Sequence, residues 1–160
     1  MELVMQYLHN YFYRFKEKGT FNISFNTITI NNEALKGKYV DGQYIRIIGS
    51  LANDGVYKVV SCGEEDIPGI TVEGCLSDEE FTGYICSLGV PKAFVGLCNE
   101  IQTYNEENKA GVMVSESFGG YSYTKATVNG QLATWKDAFA ANLKPYRRMT
   151  DGLEWVKEVK

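Results

Sequence analysis

The sequence predicts an α+β fold: an N-terminal helix, a small antiparallel β lobe, and then two helices that flank an extended β segment. Three observations predict this order. The first 17 residues carry apolar side chains at helical spacing. Residues 20–76 contain short runs that alternate apolar and polar side chains between turn signals. Two more helical patterns, at about 91–108 and 134–144, enclose a β-prone stretch.

The first helix is predicted over about residues 2–17. Gly19 follows it as a C-terminal stop, with lysines near the negative end of the helix dipole. Such an apolar stripe can bind a partner, but it more often packs into the protein's own core. The stripe consists of Val4, Leu8, Tyr11, Phe12 and Phe15.

The β lobe is predicted from residue 20 to residue 88, with its last strand at 81–88. Strands spaced about ten residues apart indicate a small antiparallel sheet, which is either open or curled into a partial barrel. Asn53 and Asp54 are interpreted as turn residues rather than calcium ligands, because the rest of a calcium-binding loop is missing. The turn signals are Asn31-Asn32, Asp41-Gly42, Asn53-Asp54-Gly55 and Pro68-Gly69.

The C-terminal helices begin with recognisable signals. Pro91 suits the first turn of the second helix, and Thr134 with Asp137 forms a capping-box pattern for the third. Residues 112–128 between them are extended, and Gly119-Gly120 is predicted to form either a two-residue hairpin turn or a bulge. We expect one domain over 1–160, with sub-regions at 1–19, 20–88, 89–149 and a tail at 150–160.

Composition narrows the function classes. The net charge of −4 argues against tight nucleic-acid binding, which relies on Lys and Arg, although DNA can still pass nearby. Nowhere are there about 18 consecutive apolar residues, so no membrane span is expected. Eleven Tyr residues favour either surfaces that are buried on assembly or a Tyr-rich sheet.

The sequence offers little for catalysis. The four cysteines include no C-x-x-C pair and His9 is the single histidine, which predicts free thiols and no metal site. Nucleotide-binding and hydrolase motifs are absent from the sequence, and the adjacent acidic residues fit solvated loops. We therefore expect a protein that is not an enzyme and has no cofactor.

One segment carries a more specific signal. The run Ser115-Glu-Ser-Phe-Gly-Gly-Tyr-Ser-Tyr123 follows a helix and precedes another that ends in Leu143-Lys-Pro-Tyr-Arg-Arg148. Over about residues 88–149 this pattern resembles the head–tail connector proteins of tailed bacteriophages, also called adaptor or head-completion proteins. The fragment from Tyr44 to Tyr57 is also similar to proteins of phage structural gene clusters.

The resemblance implies a virion protein of a phage or prophage, assembled in the cytoplasm of the bacterial host. Many copies would form a ring between the portal and the tail, and DNA would pass through without specific binding. The β-rich region 20–88 departs from the simplest connectors, which are nearly all-helical. Another tailed-phage component, such as a tail-completion or terminator protein, and a bacterial β-rich protein-binding module remain alternatives.

The candidate interface follows from the same segment. Residues 112–128 either add a strand to a neighbour's sheet or form a hairpin on the subunit's own core. The two arginines at the end of the third helix could contact an acidic surface on a neighbour. The candidate interface residues are Ser115, Glu116, Phe118, Gly119, Gly120, Tyr121, Tyr123, Arg147 and Arg148.

Overall fold

Six antiparallel strands close into a barrel in the computed structural model, which describes residues 1–30, 39–64, 67–108, 115–118, 121–124, 127–128 and 131–148. The order around the barrel is β1-β2-β5-β4-β3-β6. The α+β class with a β lobe is therefore confirmed, and the lobe is a closed barrel rather than a partial one. The strands are β1 (Tyr13–Ser24), β2 (Thr27–Ile30), β3 (Tyr44–Ile48), β4 (Gly55–Glu64), β5 (Ile67–Val72) and β6 (Glu79–Leu88).

The barrel interior is filled by alternate residues of these strands, as the period of two requires. Tyr39, on the connection before β3, adds its ring to this core and is 4% exposed. Its hydroxyl lies 3.2 Å from Glu17 Oε2 and 3.4 Å from the Ile85 carbonyl oxygen. Burial, together with the nearby Glu17 carboxylate, raises the pKa of Tyr39. The tyrosine therefore stays neutral inside the barrel.

Four helices and two further strand pairs complete the described chain. Helix α1 is Glu2–Tyr7 and helix α2 is Lys92–Glu107. Strands β7 (Ser115–Phe118) and β8 (Tyr121–Thr124) form one pair, and β9 (Thr127–Val128) and β10 (Gln131–Leu132) form another. Helices α3 (Trp135–Ala138) and α4 (Ala140–Leu143) follow, and the 3-10 turn Lys144–Tyr146 ends the described segment's regular structure. The predicted second helix thus agrees closely with α2, and the predicted tail at 150–160 lies outside the described residues.

The predicted helix over residues 2–17 is wrong beyond Tyr7. His9 and Phe12 have φ angles of 53° and 55°, which a helix cannot contain, and β1 begins at Tyr13. Asn10 holds this bend, since its side chain accepts a hydrogen bond from Phe12 N–H and donates one to the Tyr146 carbonyl. The physical reason is tertiary: β1 pairs with β6 from Tyr13 to Ile23, and this long ladder outweighs the local helical pattern.

The predicted third helix, 134–144, is interrupted. It forms α3 and α4 with a break at Phe139, whose φ and ψ are −105° and 12°. Its predicted start is correct, because the Asp137 carboxylate accepts hydrogen bonds from both the N–H and the hydroxyl of Thr134. These bonds hold the pKa of Asp137 below its usual value.

A second core joins the helices to the outside of the barrel. Strand β6 serves both cores: Phe81 and Ile85 point into the barrel, whereas Cys86 and Leu88 pack under the helices. Gly83 lets β3 approach this strand, since a Cβ there would lie 2.3 Å from the Ile48 carbonyl oxygen. We call the region around the second core the helical lobe. Its buried residues are Val4, Met5, Leu8, Cys86, Leu88, Phe94, Leu97, Cys98, Ile101 and Leu143.

Candidate assembly surfaces

The segment that carries the connector-like motif forms a two-stranded hairpin. Strands β7 and β8 pair antiparallel, with Ser115 opposite Thr124 and Phe118 opposite Tyr121. The two residues predicted to form its turn, Gly119 and Gly120, lie outside the described part of the chain. Among the described strands, β7 and β8 pair only with each other, and so do β9 and β10. We refer to these four strands as the arm.

The register divides the β7–β8 pair into two different faces. Directly opposed residues share a face, and so do residues two apart on one strand. Phe118, Tyr121, Tyr123 and Glu116 therefore lie on one face, and Ser115, Ser117, Ser122 and Thr124 lie on the other. The alternation of Tyr121 and Tyr123 with Ser122 places both tyrosines on one face of a strand, and the pairing adds Phe118 to them.

The base of the arm is fixed to the helical lobe through Tyr104. Its hydroxyl donates a 2.8 Å hydrogen bond to the carbonyl of Ala133, just after β10. Its ring packs edge-on against Phe139, with 5.6 Å between centroids. Asn108, at the end of α2, donates its side-chain amide to the Tyr104 carbonyl at 2.8 Å. Tyr104 therefore joins the end of α2 to the residue that follows β10.

The predicted arginines lie on the lobe near this base. Arg147 and Arg148 are exposed, and the Arg147 guanidinium is 5.5 Å from the centroid of the Tyr7 ring. Tyr7 in turn packs against Trp135 at 5.3 Å, two residues after Ala133. The Arg148 N–H donates to the Leu8 carbonyl at 3.2 Å, which anchors the pair to the end of α1. The structure thus connects the arginines to the arm's base through two aromatic rings.

The thiols are free, as the sequence predicted: Cys75 is exposed, Cys62 is half-buried, and Cys86 and Cys98 are buried. Burial raises the pKa of Cys86 to about 11, so this thiol is protonated and a poor nucleophile at neutral pH. His9 is exposed. Within the described ranges, no group of three or more His, Cys, Asp or Glu side chains could hold a metal ion.

One end of the barrel presents apolar side chains that the sequence analysis missed. Phe25, at the β1–β2 turn, is 92% exposed, and Leu51, in the β3–β4 loop, is 99% exposed. The signal was the Phe25-Asn26 pair in a tight turn, where bulky residues are rare. Asn53 in the same region has the predicted turn role: it is buried, and its side chain exchanges hydrogen bonds with the Ser77 backbone.

None of the helices described is long and apolar enough to cross a membrane. We found no match for the chain among protein-family models, curated proteins or solved structures.

Proposed function

We propose that the protein is a structural subunit of a tailed phage or prophage, a head–tail connector that joins a ring between portal and tail. The observation that carries this proposal is the arm, a hairpin that pairs with itself and holds the connector-like motif. It follows helix α2 and precedes helices α3 and α4, which is the order that the resemblance implies. The arginines that end the motif lie close to its base.

The hairpin supports assembly for a simple physical reason. A two-stranded sheet is marginally stable in water, and its outer edges carry backbone groups that a neighbour's strand can pair with. The face that holds Phe118, Tyr121 and Tyr123 could supply much of the buried area, at up to about 150–250 Å² for each aromatic residue. The opposite face holds only Ser and Thr, so one face suits burial and the other suits water.

The proposed action is mechanical. Copies on a portal ring would present a lower surface to the tail, and DNA would pass through the centre without specific binding. The net charge of −4 supports passage without adhesion, because a negative wall repels the phosphate backbone. The partners are other copies of the chain, the portal and the tail or head-completion proteins, and the site of action is the virion.

Electron microscopy of the protein mixed with the portal protein of the same phage tests this proposal. We expect an added ring of density on the portal. The variant Tyr121→Ser/Tyr123→Ser should keep its melting temperature and lose the ring. The matched control is Ser115→Ala/Ser122→Ala, on the opposite face, which should still form it.

Three outcomes would change the assignment. If the double tyrosine variant unfolds, the hairpin belongs to the subunit's own core and its assembly role is wrong. If the protein ignores the portal but caps purified tails, it is a tail-completion or terminator protein. If it binds neither, the virion role is wrong and a bacterial protein-binding module becomes the better reading.

A further inference from the structure

Two apolar loop tips lie at one end of the barrel, on either side of β6. The Phe25 N–H donates to Asp78 Oδ1 at 3.0 Å, and the Leu51 N–H donates to Glu79 Oε1 at 2.9 Å. The two tips are therefore fixed to consecutive residues, Asp78 and Glu79, where β6 begins. We call this surface, formed by Phe25, Leu51, Asp54, Asp78 and Glu79, the acidic end.

Several hydrogen bonds to Glu79 fix the conformation of the loop that carries Leu51. The Glu79 carboxylate also accepts hydrogen bonds from the Ser50 hydroxyl, the Ala52 N–H and the Asn53 amide. Phe25 has a φ of 48°, a strained left-handed conformation for a bulky residue, and yet its ring is almost fully exposed. Asn26 has a φ of 63°, so both central residues of this hairpin turn have the positive φ that a type I′ turn requires, and the turn leaves the Phe25 ring in solvent at its tip.

The charge at this end has one sign. The three loops, at 25–26, 49–54 and 73–78, contain Asp54, Glu73 and Asp78 and no Lys or Arg. Glu73 lies 3.9 Å from Lys58, which lines the groove described below, so Glu73 is not part of the acidic end. A surface that matches the acidic end must therefore combine apolar contact area with positive charge.

A groove elsewhere on the barrel has that chemistry. A groove of about 500 Å³ lies between the connection before β3 and the start of α2. Its one acid, Asp41, accepts a hydrogen bond from Cys62 N–H at 3.0 Å. Val40 on its wall is 64% exposed. We call it the basic groove; its cations are Arg14, Lys92 and Lys58, the last of which is paired with Glu73, and its apolar residues include Val40, Leu88, Val90 and Val95.

A chain cannot fill its own groove. Strand β1 runs from the groove at Arg14 to the acidic end at Phe25, and β6 runs from Glu79 at the acidic end to Leu88 in the groove. At about 3.3 Å per residue, β1 separates Phe25 from Arg14 by roughly 30 Å. Phe25 can therefore reach the surroundings of Arg14 only on another copy.

We propose that the acidic end of one copy docks into the basic groove of a second copy. Phe25 and Leu51 would pack on the apolar wall of the groove, and the carboxylates beside them would face Arg14 and Lys92. Such a head-to-tail contact leaves the basic groove of the first copy and the acidic end of the second copy unoccupied. Further copies can therefore add to form a ring or an open chain. It uses neither the arm nor the portal and stands whether or not the chain is a connector.

The contact should be weak and sensitive to salt. Two exposed tips bury far less than the roughly 1,200–2,000 Å² of a typical stable interface. Exposed charge pairs are screened over about 10 Å at 0.1 M salt. Sedimentation velocity of the full chain at low salt, up to about 1 mM, should show association that grows with concentration and disappears at high salt.

Two blocked variants give the decisive test. Phe25→Asp/Leu51→Asp removes the tips but keeps the groove, and Arg14→Glu/Lys92→Glu removes the groove charge but keeps the tips. Each alone should be monomeric, with its circular dichroism unchanged. Mixed together they should form one-to-one dimers and nothing larger, because each supplies the half that the other lacks. Val60→Ser, at another exposed apolar position, is the control that should associate like the wild type.

Several results would overturn the inference. One is a wild-type chain that stays monomeric at about 1 mM and low salt. Another is a mixture of blocked variants that does not dimerise, or a blocked variant that still associates alone. Binding of the tips to phosphatidylcholine vesicles without self-association would assign them to lipid. Loss of association in Tyr121→Ser/Tyr123→Ser, with Phe25→Asp/Leu51→Asp unaffected, would assign the contact to the arm and leave the proposed function intact.

Discussion

The barrel interior and the helical lobe share a strand but are built in different ways. The barrel core comes mainly from alternate positions on neighbouring strands. The lobe core instead gathers residues from the N-terminal segment, the outer face of β6, helix α2 and the segment around α4. A strand's alternation is a local pattern, whereas the lobe depends on contacts between segments more than a hundred residues apart. The residues of the barrel core can therefore be predicted from the sequence, whereas those of the lobe core can be predicted only in part.

Strand β6 is where the two regions become one. Its first half alternates between buried and exposed residues, as expected with solvent outside the barrel. From Ile85 to Leu88 every residue is buried, because the helical lobe covers the outer face. A substitution that destabilises one core should therefore destabilise the other as well, so that the two cores unfold together.

The largest effects are expected from the central rings of the two cores. Phe21 and Phe94 are both fully buried, and Phe94 lies 4.8 Å and 5.1 Å from the rings of Phe12 and Tyr146. Phe21→Ala and Phe94→Ala should each lower the free energy of unfolding by about 3–5 kcal/mol. Urea unfolding followed by far-UV circular dichroism and by tryptophan fluorescence should give one coincident transition for each variant. A lobe that melts first in Phe94→Ala would show that β6 does not couple the cores.

The next largest effect separates two apolar residues that lie on the two predicted helices 91–108 and 134–144. Leu97 is 6% exposed and belongs to the lobe core, whereas Phe139 is half-buried and packs against Tyr104. Leu97→Ala should cost about 2–5 kcal/mol, and Phe139→Ala about 1–2 kcal/mol. Thermal unfolding of both variants measures the difference. Equal losses would mean that the helix break at Phe139 does not loosen its packing.

These contrasts show what the sequence could and could not predict. The alternation in residues 21–30 and 44–48 and the turn at Asn53 were readable, because each depends on neighbours along the chain. The closing ladder between β1 and β6 was not, since it joins residues more than 55 positions apart. The aromatic stripe at residues 4–15 predicted too long a helix for the same reason. Leu8 and Phe12 do pack into the lobe core, but Phe12 lies in a bend and not in a helix.

The candidate surfaces were predictable to a different extent. The hairpin pattern at residues 115–124 was visible, because alternation and a Gly-Gly pair are local signals. The acidic end was not, because Phe25, Leu51 and Asp78 meet only when the barrel closes. The Phe25-Asn26 pair indicates a turn, but the sequence does not show that this turn lies beside the loop that carries Leu51.

A smaller effect is expected at the joint between the two regions. Arg46 on β3 stacks its guanidinium 3.7 Å from the centroid of the Tyr11 ring and donates to the Tyr13 hydroxyl. It also lies 3.8 Å from the Glu2 carboxylate of α1. Arg46→Met keeps the apolar stem and should cost about 1–2 kcal/mol. Arg46→Lys keeps the charge without the planar stacking, so chemical denaturation should give an intermediate loss; a loss equal to that of Met would exclude a role for the charge.

The smallest expected effect is confined to the acidic end, away from the helical lobe. Glu79 accepts hydrogen bonds from Ser50, Leu51, Ala52 and Asn53, and these bonds lower its pKa from the ordinary value of 4.5. Because the folded pKa lies below the unfolded one, the stabilisation is fully present above pH 4.5 and is lost as pH falls through the folded pKa. Glu79→Gln removes the charged acceptor, so its free energy of unfolding should fall below that of the wild type near neutral pH. The difference between the two free energies of unfolding should narrow below pH 4.5.

Glu80→Gln, at the exposed neighbouring position, should change stability much less at neutral pH. Urea denaturation across this pH range measures both differences, and a Glu79→Gln deficit that stays constant down to about pH 3 would mean that the carboxylate's charge does not hold the loop.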